Sequence, residues 1–220
     1  MFPARLIAAA VTSALAVPAG AGTVTGAVEL LGRRGEPERR VEGVVVYVDG
    51  LRLATPPQTV TVKMQRKRFE PRVVAVPVGG TVEFPNQDPI LHNVFSVSGE
   101  NHFDLDLYKR PEVGRKTFEH PGVVAIYCNI HPQMSAVVVV RDNPFFALVE
   151  RDGTFRIDGV PPGRHTLKAW HERAAEEAVA VIVVPEQGTV GAALSLDASK
   201  YRRTRHKNKF GKDYERDEND

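Results

Sequence analysis

Sulfur is scarce in this sequence: its 220 residues include one cysteine, Cys128, and three methionines. A single cysteine excludes an intramolecular disulfide, so the thiol is either an inert buried side chain or a metal ligand. No charge sign dominates, because 29 lysines and arginines stand against 27 acidic residues; this balance argues against nucleic-acid binding as a main function. The sequence also lacks a continuous run of about twenty apolar residues, so we expect no membrane insertion.

The first 21 residues have the pattern of a secretory signal peptide. Arg5 supplies the positive charge, residues 6–17 are apolar or small, and residues 19–21 fit the small-residue cleavage pattern. The mature chain is then expected to begin near Gly22. We therefore expect an exported, soluble, periplasmic protein.

The remaining sequence predicts an all-β protein. Short runs rich in valine and isoleucine are interrupted about every eight to twelve residues by glycine, proline and asparagine, as in β-sandwiches. One series of runs ends near residue 141, and a second begins after residues 142–144. A short turn at residues 171–177 is the nearest approach to a helix. The break near residue 142 indicates a boundary between two units.

The residues with metal-binding chemistry are concentrated in one segment. Cys128, His131 and Met134 follow one another at three-residue intervals, directly after a strand-like run at residues 123–127, and His92 lies upstream. Two imidazoles, a thiolate and a weak axial thioether are the donor set of a blue-copper electron-transfer centre. Zinc is the competing metal, but thioether is a poor zinc ligand and structural zinc sites usually contain more cysteine. The sequence therefore predicts one type 1 copper ion.

Residues 58–142 resemble a cupredoxin. The resemblance rests on Phe-Glu-Pro at residues 69–71, Val-Gly-Gly-Thr-Val-Glu-Phe at residues 78–84 and the His-Asn pair at residues 92–93. The Cys-x-x-His-x-x-Met loop at residues 128–134 follows in family order and is most similar to the loop of amicyanin. A cupredoxin combined with a second sandwich also resembles exported proteins described as methylamine-utilisation-like.

The cupredoxin resemblance implies a Greek-key β-sandwich with a copper site at one end. By position, His92, Cys128 and His131 would be the equatorial ligands. Met134 would be the weak axial ligand. Asn93, the residue after the first histidine, would hydrogen-bond the thiolate and tie the two ligand loops together.

A second resemblance covers the strand series after residue 142. Residues 153–167 are similar to the G-x-F-x-I-x-x-V-P-P-G-x-Y-x-L pattern of carboxypeptidase-regulatory-like or transthyretin-like β-sandwiches, with His165 at the aromatic position. Such a module usually opens with a strand pair like residues 22–28 and 44–48, which here precede the copper segment.

Two domain arrangements follow from this order. Either the cupredoxin, residues 58–142, is inserted into a smaller sandwich made of residues 22–57 and 143–198, or the first strands belong to the copper domain. A lone hairpin is marginally stable in water, and we favour insertion. Residues 199–220 are nearly all charged or polar, which predicts a disordered tail. A docking arm is the alternative for that tail.

We expect a carrier of single electrons that docks to redox partner proteins near His131. The apolar residues around that histidine would form the docking patch: Pro89, Ile90, Leu91 and Pro132. Two other functions are compatible with the same ligands, namely copper storage, delivery or sensing, and an interaction module with a secondary copper site. Four protein ligands leave no open position for a substrate, so we do not expect an enzyme.

Overall fold

The computed structural model describes residues 20–202 and 206–214. Most of the predicted signal peptide, residues 1–19, and two parts of the predicted tail, residues 203–205 and 215–220, lie outside the described residues. The described part is all-β, as predicted, with one 3-10 helix at Gly99–Asn101 and turns within residues 171–177. None of its helices has the length and apolar character needed to cross a membrane.

Seventeen strands make up this part of the chain. They are β1 (Gly22–Leu31), β2 (Val45–Asp49), β3 (Thr59–Thr61), β4 (Lys63–Met64), β5 (Phe69–Glu70), β6 (Val73–Pro77), β7 (Gly80–Pro85), β8 (His92–Ser96), β9 (Phe103–Tyr108), β10 (Val113–Phe118), β11 (Gly122–Tyr127), β12 (Ser135–Arg141), β13 (Phe146–Leu148), β14 (Thr154–Val160), β15 (Gly163–Trp170), β16 (Ala178–Val184) and β17 (Thr189–Asp197).

The first sandwich contains β1, β2 and β13–β17. One sheet has the order β14-β1-β17 and the other has the order β13-β2-β15-β16, so early and late strands of the chain lie side by side. Apolar side chains from both sheets form one core, which includes Leu30, Val48 and Leu167. The strands approach closely at Gly26, where a Cβ atom would lie 1.9 Å from the carbonyl oxygen of Ala192.

The second sandwich contains β3–β12. A five-stranded sheet of order β6-β12-β11-β8-β9 packs against the three-stranded sheet β10-β7-β3, and β4 and β5 form a small hairpin. The core between them includes Phe84, Phe118 and Ile126. Cys128 and Met134 belong to the same buried cluster. The candidate metal ligands therefore lie at the edge of a closed apolar core.

The continuous valine runs of β6 and β12 are explained by burial on both faces. In β12, Val138 and Val140 point into the core of the second sandwich. Val137 and Val139 point the other way and pack in a third cluster with Tyr47 of β2. A strand buried on both sides has no polar face and loses the alternation expected of a half-buried strand. This third cluster is the apolar junction between the two sandwiches.

Polar contacts surround the junction. Arg72 forms a two-pronged ion pair with Glu172, with N–O distances of 2.9 and 2.7 Å. The Arg141 guanidinium lies 3.5 Å from the centre of the Tyr47 ring. A fork-shaped guanidinium pairs with a carboxylate in a fixed orientation. The junction therefore combines apolar burial with contacts that restrict rotation between the sandwiches.

Candidate metal centre

Three of the predicted ligands converge at one end of the second sandwich. His92 begins β8, Cys128 directly follows β11, and His131 lies in the loop before β12. The Nδ1 atoms of the two histidines are 3.1 Å apart, and the Cys128 Sγ lies 3.7 Å from the His131 Nδ1. All three donor atoms lie within 4.8 Å of one another. His92 and Cys128 are fully buried, whereas His131 is partly exposed.

The spacing of these donors fits a single metal ion. Nitrogen and sulfur ligands that share one ion lie about 2.0–2.3 Å from it, so two of them are at most about 4.6 Å apart. The separations of His131 from His92 and from Cys128, 3.1 and 3.7 Å, are within that limit, and the third pair, His92 and Cys128, is no more than 4.8 Å apart. A thiolate with two imidazoles suits zinc and copper and is a poor site for magnesium or calcium.

Met134 lies in the same loop and is fully buried. Its backbone N–H donates to the carbonyl of His131 at 3.0 Å, and its own carbonyl accepts the N–H of Cys128 at 3.3 Å. These two bonds close residues 128–134 into a compact loop, called the ligand loop below.

Asp88 is a site residue that sequence reasoning missed. Its Oδ2 lies 2.8 Å from the His92 Nε2. Since a carboxylate only accepts, this contact places the proton of the neutral imidazole on Nε2, so Nδ1, which lies 3.1 Å from the His131 Nδ1, carries the lone pair that a metal would use. Burial alone would raise the pKa of Asp88, but hydrogen bonds from the Lys67 amide, the His92 ring and the Arg66 amide lower it below its usual value.

The Cys128 sulfur lies among backbone donors. The backbone N–H groups of Asn93, Ile130 and His131 favour the thiolate and by themselves would lower the pKa of the thiol. Burial is the larger effect and raises the pKa of the Cys128 thiol above its usual value. The thiol of the metal-free protein therefore stays protonated at neutral pH, and a bound metal would displace its proton.

Asn93 joins the two ligand-bearing segments. Its side-chain oxygen accepts the backbone N–H of Asn129 at 3.3 Å. Its side-chain nitrogen donates to the Asp104 carboxylate at 2.6 Å and to the Asp106 carbonyl at 3.0 Å. The backbone N–H of Asn93 favours the Cys128 thiolate. The side chain of Asn93 therefore connects the two segments, and its effect on the thiolate comes from the main chain.

Residues 206–214 of the predicted tail make specific contacts with the rest of the described chain. Residues 206–214, called the strap below, lie against the second sandwich beside the ligand loop. The His206 ring stacks on Tyr127, with centroids 4.0 Å apart and planes 20° apart. The sequence suggested disorder because the tail has little apolar surface, but its contacts are individual hydrogen bonds, ion pairs and ring stacking. Composition alone does not reveal contacts of this kind.

The predicted docking patch is exposed. Ile90 and Leu91 expose 38% and 45% of their surface, and Pro89 and Pro132 are also exposed. Ile130, which was not predicted, exposes 43% and lies in the ligand loop. The loops that carry the metal donors therefore also present apolar side chains to solvent.

No protein-family model and no curated protein matches the chain. Among solved structures, the chain is similar to the Cu-containing nitrite reductase from Thermus scotoductus SA-01, at 32% identity and a TM-score of 0.36. That match covers 43% of this chain and 25% of the reductase. The purple cupredoxin from Nitrosopumilus maritimus matches at 24% identity and a TM-score of 0.33, over 36% of this chain and 97% of its own. Amicyanin from Paracoccus versutus matches at 24% identity and a TM-score of 0.36, over 44% of this chain and 97% of its own.

Proposed function

We propose that this protein is a type 1 copper protein that carries single electrons between redox partner proteins. The observation that carries the proposal is the convergence of His92, Cys128 and His131, with donor atoms within 4.8 Å of one another. Met134, buried in the same loop, would supply the weak axial donor. Copper in such a site supplies reversible one-electron chemistry.

The residues around the donors suit a site that changes little between oxidation states. His92 and Cys128 are fully buried and held from strand ends, and Asp88 fixes the orientation of the His92 ring. Ligands locked by packing and by surrounding hydrogen bonds keep their geometry. His131 is the partly exposed donor and lies where a partner could approach.

The absorption and EPR spectra of the protein titrated with Cu(II), beside those of Cys128→Ser, test the proposal. We expect an intense visible thiolate-to-copper band and narrow hyperfine splitting, both lost in the variant. A colourless product or a tetragonal spectrum would mean that the donors do not form a type 1 site. Release of copper during repeated oxidation and reduction would favour delivery or storage over electron transfer.

The apolar patch around His131 is proposed as the docking surface for a redox partner. Leu91→Asp places a charge on this patch without touching a donor atom, so we expect slower interprotein electron transfer and an unchanged copper spectrum. Leu53→Asp is a matched control, because Leu53 is 47% exposed and lies away from the patch. The Leu53 N–H donates to the carbonyl oxygen of Asp142, which follows the end of β12 opposite to the ligand loop. Equal rates for both variants would contradict docking at this surface.

The wider organisation is part of the same proposal. We propose a cupredoxin domain at residues 58–142, inserted into a carboxypeptidase-regulatory-like sandwich of residues 22–57 and 143–198. The pairing of β1 with β14 and β17 supports this division. We further propose export to the periplasm and removal of residues 1–21. A role without catalysis follows from the donor set, since four protein ligands leave no position for a substrate.

A further inference from the structure

The strap contacts the ligand loop near both of its ends. The Tyr214 hydroxyl donates to the carbonyl oxygen of Cys128 at 2.8 Å. The His206 Nε2 lies 2.8 Å from the carbonyl oxygen of Pro132, and the same ring stacks on Tyr127. The hydroxyl of Tyr214 also lies 3.2 Å from the His206 Nδ1, which joins the two contacts. Two main-chain carbonyls of the loop are therefore held by one linked pair of strap side chains.

Lys209 anchors the middle of the strap. Its backbone N–H donates to the side-chain oxygen of Asn129 at 2.9 Å, and its ammonium group pairs with Asp104 at 2.5 Å. Asp104 is also the carboxylate that accepts from Asn93, and Asn93 in turn accepts the N–H of Asn129. The strap thus completes a ring of polar contacts that includes the loop and the segment following His92.

The strap is also folded on itself. The Asn208 side-chain oxygen accepts the N–H groups of Phe210 and Lys212, both at 3.0 Å. Gly211 takes a left-handed conformation, with φ of +73°. A turn stabilised in this way presents its side chains at fixed positions without a helix or a strand.

We propose that the strap is a positioning element that holds the ligand loop in its metal-binding shape and slows metal loss. The inference rests on the proposed function for the presence and identity of the metal, but the hold on the shape of the loop does not depend on it. Its structural basis is that two backbone bonds close the loop, whereas the strap adds contacts at Cys128, Asn129 and Pro132. Opening the loop to release a metal would require breaking these added contacts.

Amide hydrogen exchange of the metal-free protein tests the proposal directly. Truncation after residue 202 removes the strap, and truncation after residue 214 keeps it as a control. We expect exchange in residues 128–134 to accelerate about tenfold or more in the first variant and to stay unchanged in the second, because several hydrogen bonds are lost. Exchange in β14–β17 should not change in either. Unchanged loop exchange after removal of the strap would overturn the inference.

Point variants keep the test valid if the chain that ends at residue 202 fails to fold. Lys209→Met breaks the anchor, and Lys207→Met removes the same charge from an exposed position in the same segment. We expect faster loop exchange and faster loss of Cu(II) to a chelator in the first variant alone. Equal behaviour of the two variants would overturn the inference. Because exchange is measured without metal, failure of copper binding would refute the proposed function separately.

Discussion

Replacing Asp88 with asparagine tests whether a single carboxylate sets the geometry of the site. The change keeps the size of the side chain and removes its charge. In the structure, one carboxylate oxygen accepts the Arg66 amide at 2.7 Å. The other oxygen accepts the Lys67 amide at 2.9 Å and lies 2.8 Å from the His92 Nε2. Three donors therefore converge on two oxygens.

An asparagine has one oxygen and one NH₂ group, so it cannot satisfy all three donors. With its oxygen toward His92, the NH₂ group faces the Arg66 amide and leaves that donor unpaired, which costs about 1–3 kcal/mol. With its NH₂ toward His92, the ring must accept through Nε2 and carry its proton on Nδ1, where a metal would bind. Loss of such a partner typically lowers metal affinity about 10–100-fold.

Two measurements on the same variant separate these effects. Urea unfolding of metal-free Asp88→Asn should show a loss of stability of about 1–3 kcal/mol. Competition with a chelator should show that copper binding is weaker about 10–100-fold. Glu119→Gln makes the same chemical change at an exposed position and should alter neither quantity. Wild-type stability and copper affinity in Asp88→Asn would refute the reasoning about His92.

The junction between the sandwiches gives two further predictions. Val139 is fully buried in the third cluster, so Val139→Ala should lower the free energy of unfolding in urea titrations by about 2 kcal/mol. Val181 is 54% exposed, and Val181→Ala should change that free energy little. Burial would raise the pKa of Glu172, but the Arg72 guanidinium lowers it below its ordinary value of 4.5. The ion pair therefore stabilises the folded protein above about pH 4.5. This stabilisation is lost as the pH falls through the lowered pKa of Glu172. Urea unfolding at a series of pH values should show this decrease in the free energy of unfolding at low pH. The decrease should be about 1 kcal/mol at most, since Arg72 is half exposed, and it should be absent in Arg72→Met.

The convergence of His92, Cys128 and His131 could be predicted because their chemistry is rare in this chain. One cysteine with a histidine three residues later, directly after a strand-like run, leaves few other interpretations. The strands could be predicted because valine runs and turn residues alternate along the sequence. Both signals are local, so a linear reading of the sequence detects them.

Asp88 and the strap could not be predicted in this way. Asp88 lies between Asn86 and Pro89, where an aspartate usually indicates a turn. Its contact with His92, four residues later, depends on the conformation of the connection between β7 and β8, and its bonds from the Arg66 and Lys67 amides come from the turn between β4 and β5. The contacts of the strap join residues about eighty positions apart, such as Lys209 and Asn129, and involve no apolar pattern. Sequence periodicity reports burial, and these contacts depend on hydrogen-bond geometry.

The far end of the ligand loop is held by Arg72 of the second sandwich, which is itself paired with Glu172 of the first. Arg72 donates to the Ser135 hydroxyl at 2.7 Å, one residue after Met134, while the same guanidinium forms the ion pair with Glu172. Asp88 holds His92, and the strap contacts the ligand loop from Cys128 to Pro132. Arg72 holds the start of β12, the strand that follows the loop. A site held at several points changes shape little when its charge changes, which is what the proposed electron transfer would require of its frame. The first sandwich therefore supports the proposed metal centre indirectly, through the pairing of Glu172 with Arg72, without placing any of its own side chains among the proposed ligands.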